Sequence, residues 1–354
     1  MIYPTPAFRF KNLFKSSAKS VDAWSIKEYS LSWHNSGSDI LAFLSDLVIK
    51  KTNPVFLLPG FFCSQSLKGL RFLEAKFIFY KLTSDLRPDY KDINSILKKH
   101  NVDFFIHIHY FGKHIDQVKT RKICDENRII MIEDCAHLIS PVVSKKWLGD
   151  FIFFSPHKFF PIPYGSCLFS KKELTSQTNF KYNSLKLTWF MKSFSKNFFQ
   201  NKLFFNNSLN LEFSQKVEKP NYLVPHQRIV NSLYINNKTL FNMANTRKRN
   251  LKVIEDIFFQ SHSWIKIMSF DTNDIPYVVG YQAKSKTEFL RKKEKLLSSK
   301  CPAMVWPDLP IELKIHDNHC IEDIYRTKHS IYFFLHEQIN IFVYRQMIKN
   351  IFNV

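Results

Sequence analysis

Short runs of apolar residues alternate with longer stretches of helical period along the first half of the chain. The runs that are typical of buried strands lie at 55–58, 77–80, 104–108, 129–132, 151–154 and 166–169. The stretches with helical periodicity lie at 40–48, 66–73, 92–99 and 115–127. Strands that alternate with helices imply right-handed crossovers and a mainly parallel sheet, so we predict an α/β fold.

The second half of the chain has a different pattern. The segment 171–220 is rich in Lys, Asn and Phe and has no clean period, so it predicts no element. A long helical pattern covers 227–259, and short strands and helices alternate after it. We therefore predict a large α/β domain over residues 1–225 and a smaller α+β domain over residues 226–354.

Composition indicates a globular protein and bears on whether nucleic acid or a membrane surface is a partner. Hydrophobic residues make up 45% of the 354 residues, and 36 Phe would bury large apolar areas. The net charge of +21 would suit nucleic acid or an anionic membrane surface. The lysines are scattered rather than gathered in one stripe, so we expect no nucleic-acid partner, whereas a small anionic substrate fits the charge.

Cysteine spacing and hydropathy bear on location and on metals. The 6 Cys are not paired at the close spacing of metal sites, so we expect no metal. The start of the chain has no apolar stretch that signals export, and no apolar run reaches the roughly 18 residues of a membrane span. These features predict a cytoplasmic protein with reduced thiols and no stable membrane insertion. A serine hydrolase is not indicated, because the Gly-x-Ser-x-Gly elbow is missing.

Two charged residues stand where neighbouring predicted strands end. Asp134 follows the run 129–132, and Lys158 follows the run 151–154 within Ser155-Pro156-His157-Lys158. Ligands of such sheets bind beyond the carboxyl ends of the strands. Pyridoxal phosphate (PLP) needs a lysine amine for its aldehyde and a carboxylate for its pyridine nitrogen. We therefore predict Lys158 as the catalytic lysine and Asp134 as the partner of the ring nitrogen.

Other segments offer the remaining contacts of a PLP site. Backbone amides at a predicted helix start within Ser36-Gly37-Ser38-Asp39 would hold the phosphate together with the Ser155 hydroxyl, although the same residues suit an ordinary helix cap. His137 would bond the ring oxygen or the carboxylate, although a polar residue satisfied within the fold is the alternative. Phe61 or Phe62 would stack on the ring, although 36 Phe make a chance match easy.

These motifs, in their order along the chain, resemble the DegT/DnrJ/StrS family of PLP-dependent sugar aminotransferases. Ser36-Gly37-Ser38-Asp39 is similar to the Ser-Gly-Thr phosphate loop, and Leu58-Pro59-Gly60-Phe61-Phe62 to the Pro-x-aromatic loop. Further matches are found at His109-Tyr110-Phe111-Gly112, Glu133-Asp134-Cys135-Ala136-His137, Gly149 to Lys158, Arg247 to Leu251, Trp306 to Pro310 and Leu335-His336-Glu337-Gln338. Tyr164-Gly165-Ser166 departs from the Asp/Glu-Gly-Gly of the family.

The resemblance implies an aspartate-aminotransferase-like fold, fold type I, in a homodimer whose active sites lie at the interface. It implies transfer of an amino group, usually from glutamate, to a keto sugar on a nucleotide, in surface-polysaccharide or secondary-metabolite biosynthesis. Two alternatives stay open. Family members that carry out a dehydration have histidine in place of the lysine, and His157 adjoins Lys158. A non-catalytic scaffold is the other alternative, because residues 171–230 match the family poorly.

Overall fold

The computed structural model describes residues 22–143, 146–174, 182–184, 212–233, 237–299, 301, 303–306, 308–316 and 319–353. Most of the segment 171–220, to which no element was assigned from the sequence, lies outside these ranges. The described residues form a seven-stranded sheet flanked by helices and, later in the chain, a four-stranded antiparallel sheet. A short two-stranded parallel sheet links residues 212–214 to residues 308–310.

The seven-stranded sheet is mainly parallel, which confirms the predicted fold class. Its strands are β1 (Ser30–His34), β2 (Val55–Pro59), β3 (Lys76–Tyr80), β4 (Phe104–Ile108), β5 (Ile130–Cys135), β6 (Phe151–Phe154) and β7 (Ser166–Ser170). In space they are ordered β1-β7-β6-β5-β4-β2-β3. The strands from β2 to β6 pair in parallel, whereas β7 runs antiparallel to both β6 and β1.

Four helices connect these strands, close to where the sequence periodicity predicts them. They are α1 (Gly37–Phe43), extended by a π-helical segment (Leu44–Ile49), α2 (Lys68–Phe72), α3 (Tyr90–Leu97) and α4 (Val118–Asn127). Ser36 caps α1 as predicted, because its hydroxyl accepts a hydrogen bond from the Asp39 amide at 3.2 Å. Strand β1 was not predicted. It lies at the edge of the sheet, and its sequence alternates polar and apolar residues rather than forming an apolar run.

The C-terminal region is built around the four-stranded sheet. Its strands are β9 (Trp264–Lys266), β10 (Val278–Ala283), β11 (Ala303–Met304) and β13 (Ser330–Phe334), while the short pair consists of β8 (Glu212–Ser214) and β12 (Asp308–Pro310). Its helices are α5 (Gln227–Ser232), α6 (Asn237–Phe258), α7 (Lys286–Ser299), α8 (Ile321–Lys328) and α9 (Ile341–Phe352). The helical pattern at 227–259 thus contains two described helices. The domain boundary at residue 225 stays a prediction.

Close packing joins the C-terminal region to the end of β4. Gly112 has a φ of +100°, and a Cβ atom there would lie 2.1 Å from the Ile275 carbonyl oxygen. Only glycine permits this conformation and this approach without displacement of the neighbouring chain. The Tyr277 amide donates a hydrogen bond of 2.6 Å to the Phe111 carbonyl oxygen at the same place. Residues just before β10 are therefore held against the edge of the large sheet where parallel strands end.

Candidate active site

Asp134 lies at the carboxyl end of β5, at the centre of the large sheet. It pairs with Ile108 of β4 on one side and with Phe153 of β6 on the other. Asp134 is 9% exposed, and within the described residues its carboxylate accepts one hydrogen bond, of 2.9 Å, from the Ala136 amide. Burial raises the pKa of Asp134 to about 6, and the positive charge of Lys158 opposes that rise. A buried carboxylate with one donor retains acceptor capacity for a ligand.

Lys158 follows β6 on a single 3-10 turn that spans Pro156–Lys158. The Lys158 amide donates to the Ser155 carbonyl oxygen at 3.0 Å, which closes the turn. Burial lowers the pKa of the Lys158 amine, while the charges of Asp134 and Cys63 oppose the decrease. Within the described part of the chain, Lys158 Nζ has neither a hydrogen bond nor an ion pair. The structure thus brings the two predicted residues into electrostatic contact and leaves the amine available.

The predicted phosphate loop lies beside the same strand. A Cβ atom on Gly37 would be 2.9 Å from the Phe153 ring, so the start of α1 packs directly on β6. Ser38 Oγ is buried and has no hydrogen-bond partner among the described residues. A buried hydroxyl without a partner is costly unless a ligand or water satisfies it. An anion bound at the helix start would provide the missing partner of the Ser38 hydroxyl.

Two other predicted phosphate contacts are engaged within the protein. The Asp39 carboxylate accepts a hydrogen bond of 2.7 Å from Ser36 Oγ, and the Asp39 amide donates to the same hydroxyl. Asp39 therefore serves the helix cap, which was the alternative considered for this motif. The hydroxyl of Ser155 is buried and lies 3.4 Å from that of Ser166, so it already has a polar neighbour.

The two phenylalanines that the sequence offered for ring stacking are core residues. Phe61 is 0% exposed and Phe62 is 2% exposed. The Phe61 ring packs against Trp306 with centroids 4.2 Å apart. The next residue of this loop, Cys63, lies within electrostatic reach of Lys158, and its thiol donates to Asp308 Oδ1 at 3.5 Å. The predicted stacking of Phe61 or Phe62 on a cofactor ring stays a prediction.

His137 lies within electrostatic reach of Lys158 and is surrounded by aromatic rings. Its ring is stacked on Phe111 at 5.4 Å and on Tyr277 at 5.3 Å, while Trp306 contacts it edge-on at 6.0 Å. Burial and the charge of Lys158 hold the pKa of His137 well below its usual value. The imidazole is therefore neutral. Sequence reasoning missed Tyr277 because it is 140 positions from His137 and no motif marks it.

Glu133 precedes Asp134 and is surrounded by hydrogen-bond donors. Oε1 accepts from the amides of Leu148 and Gly149, and Oε2 pairs with His109 Nε2 at 2.9 Å. His109 Nδ1 in turn accepts from the Ile115 amide, so the His109 proton is on Nε2. Ligand atoms of His109, Glu133 and Cys135 lie within 4.8 Å of one another. The hydrogen bonds already engage His109 and Glu133, and this arrangement ties β4 and β5 to the chain before β6.

Comparison with known proteins agrees with this geometry. Residues 23–163 match the DegT/DnrJ/EryC1/StrS aminotransferase family. A search of curated proteins gives no match. No described helix is long and apolar enough to span a membrane.

Many solved structures share the fold at low sequence identity. PseC of Helicobacter pylori, an aminotransferase of pseudoaminic acid biosynthesis, is 14% identical with a TM-score of 0.64, and the match covers 91% of this chain and 86% of that one. The GDP-4-keto-6-deoxy-D-mannose-3-dehydratase of E. coli is 16% identical with a TM-score of 0.63, covering 91% and 87%. A Brucella abortus aminotransferase is 12% identical with a TM-score of 0.63, covering 91% and 85%. The chain thus has the fold of these enzymes, and residues 23–163 confirm its resemblance to the DegT/DnrJ/EryC1/StrS aminotransferase family.

Proposed function

We propose that this protein is a PLP-dependent aminotransferase that transfers an amino group to a keto sugar carried on a nucleotide. The observation that carries the proposal is the pair formed by Asp134 and Lys158 at the ends of adjacent parallel strands. The Asp134 side chain is buried and that of Lys158 is partly buried, the two lie within electrostatic reach of each other, and the Lys158 amine has no partner among the described residues. The family match over residues 23–163 supports the assignment.

The residues present fit the cofactor. Asp134 would face the pyridine nitrogen, Lys158 the aldehyde, and His137 the ring oxygen. Ser38 and the first amides of α1 would hold the phosphate, because the buried Ser38 hydroxyl lacks a partner within the described chain. When bound, PLP supplies an electron sink and a carrier for the amino group.

Each side chain has a role that follows from its surroundings. Burial lowers the pKa of Lys158, which increases the share of neutral amine able to act as a nucleophile and to carry a proton. Among the described residues Asp134 accepts one hydrogen bond, from the Ala136 amide, so its carboxylate can accept another from a protonated ring nitrogen. His137 is neutral, and the Phe111 amide donates to its Nδ1 at 3.5 Å, so its Nε2–H is the donor available to an oxygen.

The neighbouring histidine distinguishes amino transfer from dehydration. The E. coli dehydratase shows that this fold also serves a dehydration. In this chain His157 Nδ1 lies 3.2 Å from the Gly165 carbonyl oxygen and donates to it, whereas Lys158 Nζ has no such engagement among the described residues. Lys158, rather than His157, is therefore the residue available for chemistry, which favours the aminotransferase.

The wider assignment extends this proposal. The keto sugar carries its nucleotide diphosphate, an anion that suits a protein of net charge +21. Glutamate serves as amino donor, and the protein acts in the cytoplasm as a homodimer in the synthesis of a surface polysaccharide or a secondary metabolite. The domain division at residue 225 belongs to the same proposal.

Colour provides the direct test. Wild-type protein mixed with PLP should show the visible absorbance of a lysine Schiff base, and Lys158→Ala should lose it and lower turnover by about 1000-fold or more. His157→Gln is the matched control: it keeps a donor for Gly165 and should keep the absorbance. Amino transfer from glutamate to keto sugar nucleotides then identifies the reaction. A colourless wild-type protein would support the scaffold alternative, and retained absorbance in Lys158→Ala would refute the role of Lys158.

A further inference from the structure

The imidazole of His137 is positioned by residues from two distant parts of the chain. Phe111 follows β4, and Tyr277 precedes β10. Both rings lie nearly parallel to that of His137, at 11° and 13°. Near-parallel, offset stacking at such distances is a favourable arrangement of aromatic rings. His137 is thus restrained by ring contacts in addition to its weak hydrogen bond.

Tyr277 is itself firmly held. Its amide donates to the Phe111 carbonyl oxygen at 2.6 Å, and its own carbonyl oxygen accepts from Arg247 Nη1 at 3.3 Å. Arg247 is 1% exposed, and this bond is partly buried. The segment before Tyr277 rests on Gly112, where a side chain would collide with the Ile275 carbonyl oxygen. These contacts hold the backbone of Tyr277 against the large sheet.

The same ring reaches the residue after Lys158. The rings of Tyr277 and Phe159 lie 5.0 Å apart, and the Arg247 guanidinium lies 5.1 Å from the Phe159 ring. Tyr277 therefore contacts both His137 and the immediate neighbour of Lys158. Through Tyr277 the C-terminal region can thus affect the geometry of both predicted site residues, in addition to the edge-on contact of Trp306 with His137.

We propose that Tyr277 is a positioning residue of the active site, which together with Phe111 holds His137 in a single orientation with its proton on Nε2. Its importance for cofactor binding rests on the function proposed above. The restraint on His137 does not, because it can be measured without the cofactor. Charged groups near this cluster are Lys158, which faces His137, and Arg247, which faces Tyr277.

Three variants and a matched control test the role. Tyr277→Phe keeps the ring, Tyr277→Leu removes it, and Phe111→Leu removes the other stacked ring. Tyr281→Leu is the control, because Tyr281 is a buried tyrosine of the same region that stacks on Phe258 rather than on His137. The readouts are the tautomer and the pKa of His137, measured by NMR of the cofactor-free protein. His137→Gln identifies the His137 signals among those of the 13 histidines.

We expect Tyr277→Phe to retain the single Nε2–H tautomer of wild type. Tyr277→Leu and Phe111→Leu should give mixed tautomers, a His137 pKa closer to its ordinary value, and PLP affinity about tenfold lower, equivalent to about 1.4 kcal/mol. Tyr281→Leu should lower thermal stability without these changes. Wild-type His137 signals in Tyr277→Leu would overturn the proposal. If Tyr277→Leu fails to fold, the His137 signals of Phe111→Leu provide the test instead. If PLP binds none of the proteins, the proposed function fails while the NMR result still decides the role of Tyr277.

Discussion

Glu133 and Asp134 are neighbours on β5, but they face opposite sides of the sheet and have different surroundings. Both carboxylates are buried, and burial raises the pKa of each. Glu133 accepts hydrogen bonds from two amides and from His109. Asp134 accepts one from the residues that the structure describes, from the Ala136 amide. A buried carboxylate with all its partners stabilises the fold, whereas one with few partners is available for a ligand, so the second kind marks the functional side of the sheet.

The largest effect that we predict is a loss of turnover on substitution of Asp134. Asp134→Asn keeps an oxygen for the Ala136 amide but cannot hold a proton on the pyridine nitrogen, so turnover should fall by about 100-fold or more with the fold retained. Steady-state kinetics beside circular dichroism measures both quantities. Asp150→Asn, a change in a carboxylate that pairs with Arg121, is the control and should leave turnover within a few-fold. Near-normal turnover of Asp134→Asn would remove the functional distinction between the two residues.

At Glu133 we expect a substitution to lower the stability of the fold. In Glu133→Gln the side-chain NH₂ would face either His109 Nε2–H or the backbone amides of Leu148 and Gly149, so one set of donors would lose its acceptor. His109 cannot relieve the first conflict by changing tautomer, because Nδ1–H would then face the Ile115 amide. This conflict should lower the free energy of unfolding by about 1–3 kcal/mol. Urea unfolding would show the loss, and Glu126→Gln, at an exposed helical position, should show little change. A fully stable Glu133→Gln protein would contradict the structural role.

The pH dependence of stability provides a further difference between Asp134 and Glu133. The pKa of Asp134 is about 6 in the folded protein and 3.8 in its ordinary state, so the fold favours the protonated carboxyl. Its stabilising contribution is complete below the lower value and is lost as pH rises through about 6. Cofactor-free Asp134→Asn avoids this loss, so it should exceed wild type by about 1–2 kcal/mol near pH 8 and by much less near pH 4.

Urea unfolding of both cofactor-free proteins at the two pH values tests this prediction. Glu133→Gln, measured in parallel, should remain less stable than wild type near pH 8, opposite in sign to Asp134→Asn. An equal difference between Asp134→Asn and wild type at both pH values would show that ionisation of Asp134 does not oppose folding.

The smallest effect concerns the orphaned hydroxyl at the start of α1. Ser38→Ala removes a donor that has no partner within the described chain, so it should weaken PLP binding about tenfold and leave stability unchanged or slightly higher. Ser155→Ala should give a smaller loss, because that hydroxyl already lies beside Ser166. Fluorescence titration with PLP compares the two. Equal affinity of Ser38→Ala and wild type would exclude the Ser38 hydroxyl from the phosphate site.

Local sequence was enough to predict most strands of the large sheet and to select Asp134 and Lys158 as a pair. Strands that are buried on both faces are continuous apolar runs, so the parallel strands β2 to β6 and the antiparallel β7 could be recognised one by one. Polar residues directly after such runs lie at one edge of the sheet, which is why the positions of Asp134 and Lys158 along the chain were enough to pair them. Strand β1 was missed, because its residues alternate between polar and apolar types and form no apolar run.

Other parts of the site depend on how distant segments pack. Sequence alone offered Phe61 and Phe62 for the ring, and only the structure shows that both are buried and that the Cys63 thiol lies within electrostatic reach of Lys158. Tyr277 reaches His137 because the C-terminal region docks on Gly112, a contact across more than 160 residues. Local sequence determines where a strand ends and which residue follows it. Tertiary packing decides which side chains from remote segments meet there, because burial and ring contacts depend on the whole fold.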